Sequence, residues 1–160
     1  MIRFLAFLLA LVILGLDQWT KNLAETLLTY NRPVEVLPVL DFTLRYNPGA
    51  AFSFLADAGG WQRWFFTVIA SAVSIVLVVW ISKLKPNEKY LALGLSLVLG
   101  GALGNLYDRI ILGHVVDFIA FHWESAYFPA FNIADSAISI GAVFLIVDSL
   151  FGQSASKSND

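Results

Sequence analysis

Four stretches of about twenty mostly apolar residues divide this chain, and they limit its folds more than any other feature. A helix crossing the hydrocarbon of a bilayer needs about 20 such residues at about 1.5 Å each. The stretches fall at 3–24, at 62–82 ("QRWFFTVIASAVSIVLVVWIS"), at 89–108 and at 131–151 ("FNIADSAISIGAVFLIVDSLF"). Of 160 residues, 58% are hydrophobic and only 14% charged, where a soluble domain carries about a quarter charged. One domain over 1–152 has no interior large enough for that apolar surplus, so lipid must serve as solvent. The net charge of −2 comes without a basic cluster, which argues against a nucleic-acid partner. No cysteine is present, which removes disulfides, thiolate metal sites and a cysteine nucleophile.

The opening "MIRFLAFLLALVILGL" has the look of a secretory leader, but no small-x-small cleavage site follows before Asp17-Gln18-Trp19. It reads as a retained first span. Orientation follows from positive charge in short loops. "SKLKPNEK" holds Lys83, Lys85 and Lys89, Arg3 opens the chain and Lys157 lies in the tail. These face the cytoplasm, and the connections 25–61 and 110–130 face outward. Both termini are then cytoplasmic, with 153–160 a disordered polar tail. Trp19, Trp61, Trp64 and Trp123 fall at the outer interface and Trp80 at the inner one, as an aromatic belt requires.

The outer connections carry some structure. In "LDFTLRYN", Phe42, Leu44 and Tyr46 alternate with Thr43 and Arg45, the period of a half-buried strand. Pro48 and Gly49 suit the centre of a type II turn, and "AAFSF" is expected to return as the second strand. The expected fold is a membrane all-α bundle of four transmembrane helices. A small β-hairpin over about 34–56 and a short interfacial helix lie on its outer, periplasmic face.

With that topology, Asp17, Lys21, Asn105, Asp108, Arg109, Asp117, Asn132 and Asp135 converge on one layer at the outer membrane boundary. Asp135 lies only about 6 Å along its helix from the start. Several have ordinary structural readings. Asp17 and Lys21 are equally an i, i+4 pair, Asp108 and Arg109 an interfacial charge pair, and Asn132 an N-cap. Gly100 and Gly104 with Gly101 read as close helix packing, and His114 and His122 as plain loop residues. Asp117, among Val115, Val116, Phe118 and Ile119, and Asp135, between Ala134 and Ser136, fit structural readings poorly. An ionised carboxylate in apolar surroundings is costly and defaults to a functional hypothesis.

Elimination narrows the chemistry. No H-E-x-x-H zinc motif and no G-x-S-x-G elbow is present. A serine–lysine dyad from Lys21 with Ser53 or Ser136 has no supporting spacing. Two carboxylates suffice for one mechanism: held together they share a proton, one activating water and the other protonating the substrate. Two rivals stand beside it. A proton-coupled carrier subunit would need polar groups across the membrane, and only Asp148 lies deep on the far side. A structural subunit leaves the two carboxylates unexplained.

The stretches "LDQWTK" at 16–21, "YNPGAAFSF" at 46–54, "GGALGNLYDR" at 100–109, "GHVVDF" at 113–118 and "FNIADS" at 131–136 occur together and in order. In this the chain resembles the bacterial lipoprotein signal peptidases (signal peptidase II), intramembrane aspartyl proteases. The resemblance implies that Asp117 and Asp135 are the catalytic dyad. It implies supporting or substrate-contacting places for Asp17, Asn47, Asn105, Arg109 and Asn132, and for Lys21, Gly49, Asp108 and Ala134 in the same stretches. It implies a diacylglyceryl-modified prolipoprotein as substrate, cleaved on the amino side of the lipidated cysteine, with no metal and no cofactor. The expected setting is the bacterial inner membrane, as a monomer among membrane lipid. The orientation is testable directly: a reporter fused after Lys85 should read cytoplasmic and one near Ala126 external, and the opposite pattern would overturn it.

Overall fold

The computed structural model describes residues 1–49, 61–124 and 126–156, with side chains described as far as Leu150. In chain order it holds α1 (Ile2–Leu27), β1 (Val34–Leu37), β2 (Leu40–Asn47), α2 (Trp61–Ser82), α3 (Lys89–Ile111), β3 (Val115–Trp123), β4 (Ala126–Tyr127) and α4 (Ile133–Ser156). Among the described residues, four helices are long and apolar enough to cross a membrane. Their outward faces carry large apolar side chains such as Phe4, Leu11, Val68, Ile75, Val143 and Ile146, all well exposed. In water such faces would be an aggregation hazard; in hydrocarbon they are the solvated surface. Trp19, Trp61, Trp64, Trp80 and Trp123 are likewise exposed.

α3 is the central helix and packs against α1, α2 and α4. Its small residues allow that. A Cβ on Gly101 would stand 2.4 Å from the Ala134 carbonyl oxygen of α4. On Gly100 it would meet the Ala10 carbonyl oxygen of α1 at 2.7 Å, and on Gly104 the Asp17 Oδ2 at 2.5 Å. Lipid supplies little hydrophobic force between helices, so close backbone contact and polar bonds hold such bundles together. At the other end, Ala6, Ala10, Leu77, Ile81, Leu84, Ala92, Leu95 and Leu99 form the apolar core. Arg3 Nε donates to the Leu84 carbonyl there at 2.9 Å, tying the start of α1 to the end of α2.

The sheet differs from the expected hairpin. It has four antiparallel strands in the order β1-β2-β3-β4. β2 is flanked by β1 (Val34 opposite Phe42) and by β3 (Arg45 opposite Asp117, Asn47 opposite Val115). The connection 110–130 is therefore largely strand. Its "VVDFIAFHW" is rich in β-branched and aromatic residues, which favour a pleated surface. The proposed return strand "AAFSF" and the short interfacial helix lie outside the described residues. Gly49 has φ +109, the left-handed backbone that the third residue of a type II turn demands.

The helix ends differ from the expected spans, with α1 running on to Leu27 and α3 to Ile111. α4 begins at Ile133, because Phe131 is extended and pairs with Ile119 in both directions at 2.9 Å. The same helix continues through Ser156, so residues 153–156 are helical where a disordered tail is expected. Gln153, Ser154 and Ala155 tolerate a helix, and the single Gly152 costs only about 1 kcal/mol. At the end of α3, Arg63 of α2 donates from Nε to the Arg109 carbonyl at 2.7 Å and from Nη2 to the Ile110 carbonyl at 2.8 Å. A cation is well placed at a helix C-terminus.

The glycine contacts are testable. Gly101→Ala drives a methyl into the α4 backbone, a clash of a size that costs about 1–3 kcal/mol. Thermal unfolding in detergent should fall by several degrees, and an unchanged midpoint would show that α3 and α4 are not in close contact there.

Candidate active site

Asp117 and Asp135 come from different elements and are brought together by two asparagine amides. Asn132 Nδ2 donates to Asp117 Oδ1 at 2.7 Å. Asn105 Nδ2 donates to Asp135 Oδ1 at 2.7 Å. The two amides are themselves joined, Asn132 Nδ2 lying 3.3 Å from Asn105 Oδ1. Asp117 sits on β3 and is only 2% exposed. The neighbouring strand supplies Asn47, whose Nδ2 reaches Asp117 Oδ2 at 3.2 Å. Asp135 lies in the first turn of α4 and is half-buried.

Local structure explains the convergence. Phe131 bonds to β3, which sets the next residue, Asn132, beside Asp117. Asn132 is also the N-cap of α4. Its Oδ1 accepts the backbone N–H of Asp135 at 2.9 Å, which satisfies one of the donors left free at a helix start. One amide thus caps the helix with its oxygen and holds a carboxylate with its nitrogen. The capping reading of Asn132 holds, and the same side chain also reaches Asp117.

Beneath the pair lies a buried ionic cluster. Lys21 Nζ is 2.8 Å from Asp17 Oδ2 and 2.7 Å from Asp108 Oδ2. It also donates to Asn105 Oδ1 at 3.0 Å. Asp17 reaches across to α4, its Oδ1 accepting the Ala134 N–H at 2.9 Å. Asp108 Oδ2 accepts the Val116 N–H of β3 at 3.2 Å. Asp17 and Asp108 are fully buried, with Lys21 3% exposed. The i, i+4 pairing is real, and it is one edge of a cluster joining α1, α3, α4 and β3. Gln18 belongs to it too, donating to Asp108 Oδ1 at 2.8 Å and to the Gly104 carbonyl at 3.2 Å. Sequence reasoning missed Gln18; its place one residue after Asp17 and three before Lys21 was the available signal.

Arg109 does not pair with Asp108. Its Nη1 donates to the Asn105 carbonyl at 3.2 Å, its guanidinium lies 5.5 Å from the centre of the Phe66 ring, and its charge acts on both Asp135 and Asp117. Gly49 stands beside Asn47, donating its N–H to Asn47 Oδ1 at 2.9 Å. Ala134 is fully buried against Gly101. Ser136 donates its hydroxyl to the Asn132 carbonyl at 3.0 Å, and the Lys21 ammonium is occupied elsewhere, so the two form no dyad. Ser53 lies outside the described residues. His122, read as a loop residue, is on β3 with Nε2 3.4 Å from Asp41 Oδ1, and His114 packs on Tyr46 at 4.4 Å.

Burial dominates the electrostatics of Asp117. Loss of water, reinforced by the charge of Asp135, pushes its carboxyl up from 3.8 to about 7, against the opposing pull of Asn47, Lys21 and Asn132. A carboxyl protonated near neutral pH beside a half-exposed second carboxyl can hold one proton between them. Such a pair offers both a base and an acid to a molecule entering from the half-exposed side.

Residues 9–151 match the family model described as Signal peptidase (SPase) II. The chain is 57% identical over 152 residues to a lipoprotein signal peptidase of Ectopseudomonas mendocina (strain ymp), covering 94% of this chain and 90% of that protein. It is 60% identical over 142 residues to a lipoprotein signal peptidase of Pseudomonas fluorescens (strain Pf0-1), covering 88% and 84%. Two solved structures are similar, each of a bacterial membrane enzyme determined by the in meso method. The one at 2.3 Å resolution has a TM-score of 0.80 and 33% identity, covering 97% of this chain and 92% of that one. The one at 1.9 Å has a TM-score of 0.77 and 34% identity, covering 91% and 92%.

The raised carboxyl has a consequence for stability. Between 3.8 and about 7 the folded protein keeps a proton that the unfolded chain releases. Stability therefore falls as pH rises through that window and is flat above it. Thermal unfolding midpoints in detergent should drop from pH 5 to pH 7, and Asp117→Asn should remove most of the slope. An Asp117→Asn variant with the wild-type slope would contradict the assignment.

Proposed function

The chain belongs to the signal peptidase II family, and from that premise we propose that it is an intramembrane aspartyl endopeptidase. Its substrate is a diacylglyceryl-modified prolipoprotein, cut on the amino side of the lipidated cysteine. The observation that carries the aspartyl reading is the linked pair of amides, Asn132 to Asp117 and Asn105 to Asp135, each at 2.7 Å. Two carboxylates from separate elements, each given a donor, form an acid–base pair with access to water on one side.

In the proposed reaction the ionised carboxylate removes a proton from water as the water oxygen bonds to the scissile carbonyl carbon. The protonated carboxyl hydrogen-bonds to the carbonyl oxygen in the same step. The carbon–nitrogen bond then breaks, and the nitrogen takes a proton from the pair. The products are the signal-peptide carboxylic acid, which keeps the second proton of the water, and the free amine of the lipidated cysteine, with the pair restored to one shared proton. No metal or cofactor enters any step. Arg109, on its Phe66 platform near both carboxyls, is placed to steady a polar group of the substrate.

An active site at the outer boundary of the inner membrane suits this substrate. The signal helix stays among the spans, the acyl chains stay in lipid, and the scissile bond meets water. The exposed apolar faces of α1, α2 and α4 support a multi-pass protein surrounded by lipid. The reading is tested with purified protein and a lipidated precursor peptide. Asp117→Asn and Asp135→Asn should each lower turnover by a factor of at least about 10³, the order at which an acid–base group supplies rate, while the protein still inserts. Wild-type turnover in both variants would remove the dyad.

A further inference from the structure

The Lys21 ammonium has three hydrogens and three acceptors: Asp17 Oδ2 at 2.8 Å, Asp108 Oδ2 at 2.7 Å and Asn105 Oδ1 at 3.0 Å. A neutral amine has only two hydrogens, so the arrangement needs the charged form. Two of the acceptors are carboxylates outside the proposed dyad. The third is the amide that touches it. A charge-assisted bond to the amide oxygen is stronger than a neutral one, so Lys21, more than the Asn132 amide 3.3 Å from the same oxygen, sets which way Asn105 faces. With the oxygen held by Lys21, the Asn105 NH2 can only point the other way, at Asp135 Oδ1, 2.7 Å off. Asn132 is oriented independently, by the backbone N–H that its oxygen caps.

Resting on the aspartyl-peptidase reading above, we propose that Lys21 is a positioning residue. By fixing the Asn105 amide it holds the Asp135 carboxylate in place as the base that takes the proton from water. A donor aimed at a carboxylate favours its ionised form, and an amide turned the other way would set oxygen against oxygen and favour the protonated form. Asp135 is also the half-exposed member, whereas Asp117 is 2% exposed, so water reaches the base. Among the described residues, the charged groups about the pair are Arg109 and Asp108 on α3, Asp17 and Lys21 on α1, the lysine charge also acting on Asp117, and Arg45 on β2, opposite Asp117 in register with its guanidinium bonded to Asn31. Of these cations and anions, Lys21 alone acts on Asp135 through an amide.

The test is the pH profile of kcat for cleavage of a lipidated precursor peptide by the full-length protein in detergent. Its acid limb reports ionisation of the base. Lys21→Met should move that limb up by about one pH unit and lower kcat near pH 7 about tenfold, with KM within about twofold because the substrate surface is untouched. Asn105→Ala should move the limb by a similar amount. Adding Lys21→Met to Asn105→Ala should move it no further, since the lysine acts through the amide. Should Lys21→Met fail to fold with Asp17 and Asp108 uncompensated, Lys21→Met with Asp108→Asn keeps the buried charge balance and should give the same shift. A limb at the wild-type position in a folded variant, or shifts that add in the double variant, would overturn the assignment. No cleavage by the wild type would instead remove the peptidase reading on which it rests.

Discussion

A carboxylate can stay at the edge of a hydrocarbon layer only while donors or cations surround it, and in this layer Asp17, Asp108 and Asp117 are buried and Asp135 is half-buried. The rest of the structure follows from how each is satisfied. Asp17 and Asp108 share the Lys21 ammonium and take backbone N–H groups from α4 and β3. Asp117 has asparagine donors on both oxygens, and Asp135 has one. The first two are neutralised by a cation. The second two are bonded by neutral amides and feel the charges of Arg109 and Lys21 only at longer range. That difference separates a structural ion cluster from a pair suited to proton transfer.

Packing serves the same network. Gly104 makes room for the Asp17 carboxylate and Gly101 for the Ala134 backbone, so the small residues of α3 let α1 and α4 approach closely enough for their polar groups to meet. The sheet does the corresponding work above them. β3 carries Asp117, β2 ends with Asn47 opposite Val115, and Phe131 bonds to β3 just before the N-cap of α4. A shift of one residue in the β2–β3 register would turn Asn47 away from Asp117.

Much of this was legible in the sequence, and the gaps have physical causes. The spans were readable because hydrocarbon imposes a length and an apolar composition that little else in a protein mimics. The polar layer was readable because charge is rare in such a chain, which made Asp117 and Asp135 conspicuous. The strand at 115–123 was not recognised, because the carboxylate in its middle hid a β-rich run that the partner strand completes from far away in sequence. Gln18 was overlooked since nothing local distinguishes an amide bound to Asp108, some 90 residues on, from one facing lipid headgroups. The double use of Asn132, oxygen to the helix and nitrogen to Asp117, follows only once Phe131 is seen to join the sheet.

The most direct measurement is the infrared spectrum of the detergent-solubilised protein labelled with ¹³C at the aspartate carboxyls, followed across pH. One protonated aspartate carbonyl band should persist into the neutral range, disappear with a midpoint near 7, and be missing from Asp117→Asn. A spectrum in which every aspartate has lost its proton within the ordinary carboxylate range would contradict a proton shared by this pair.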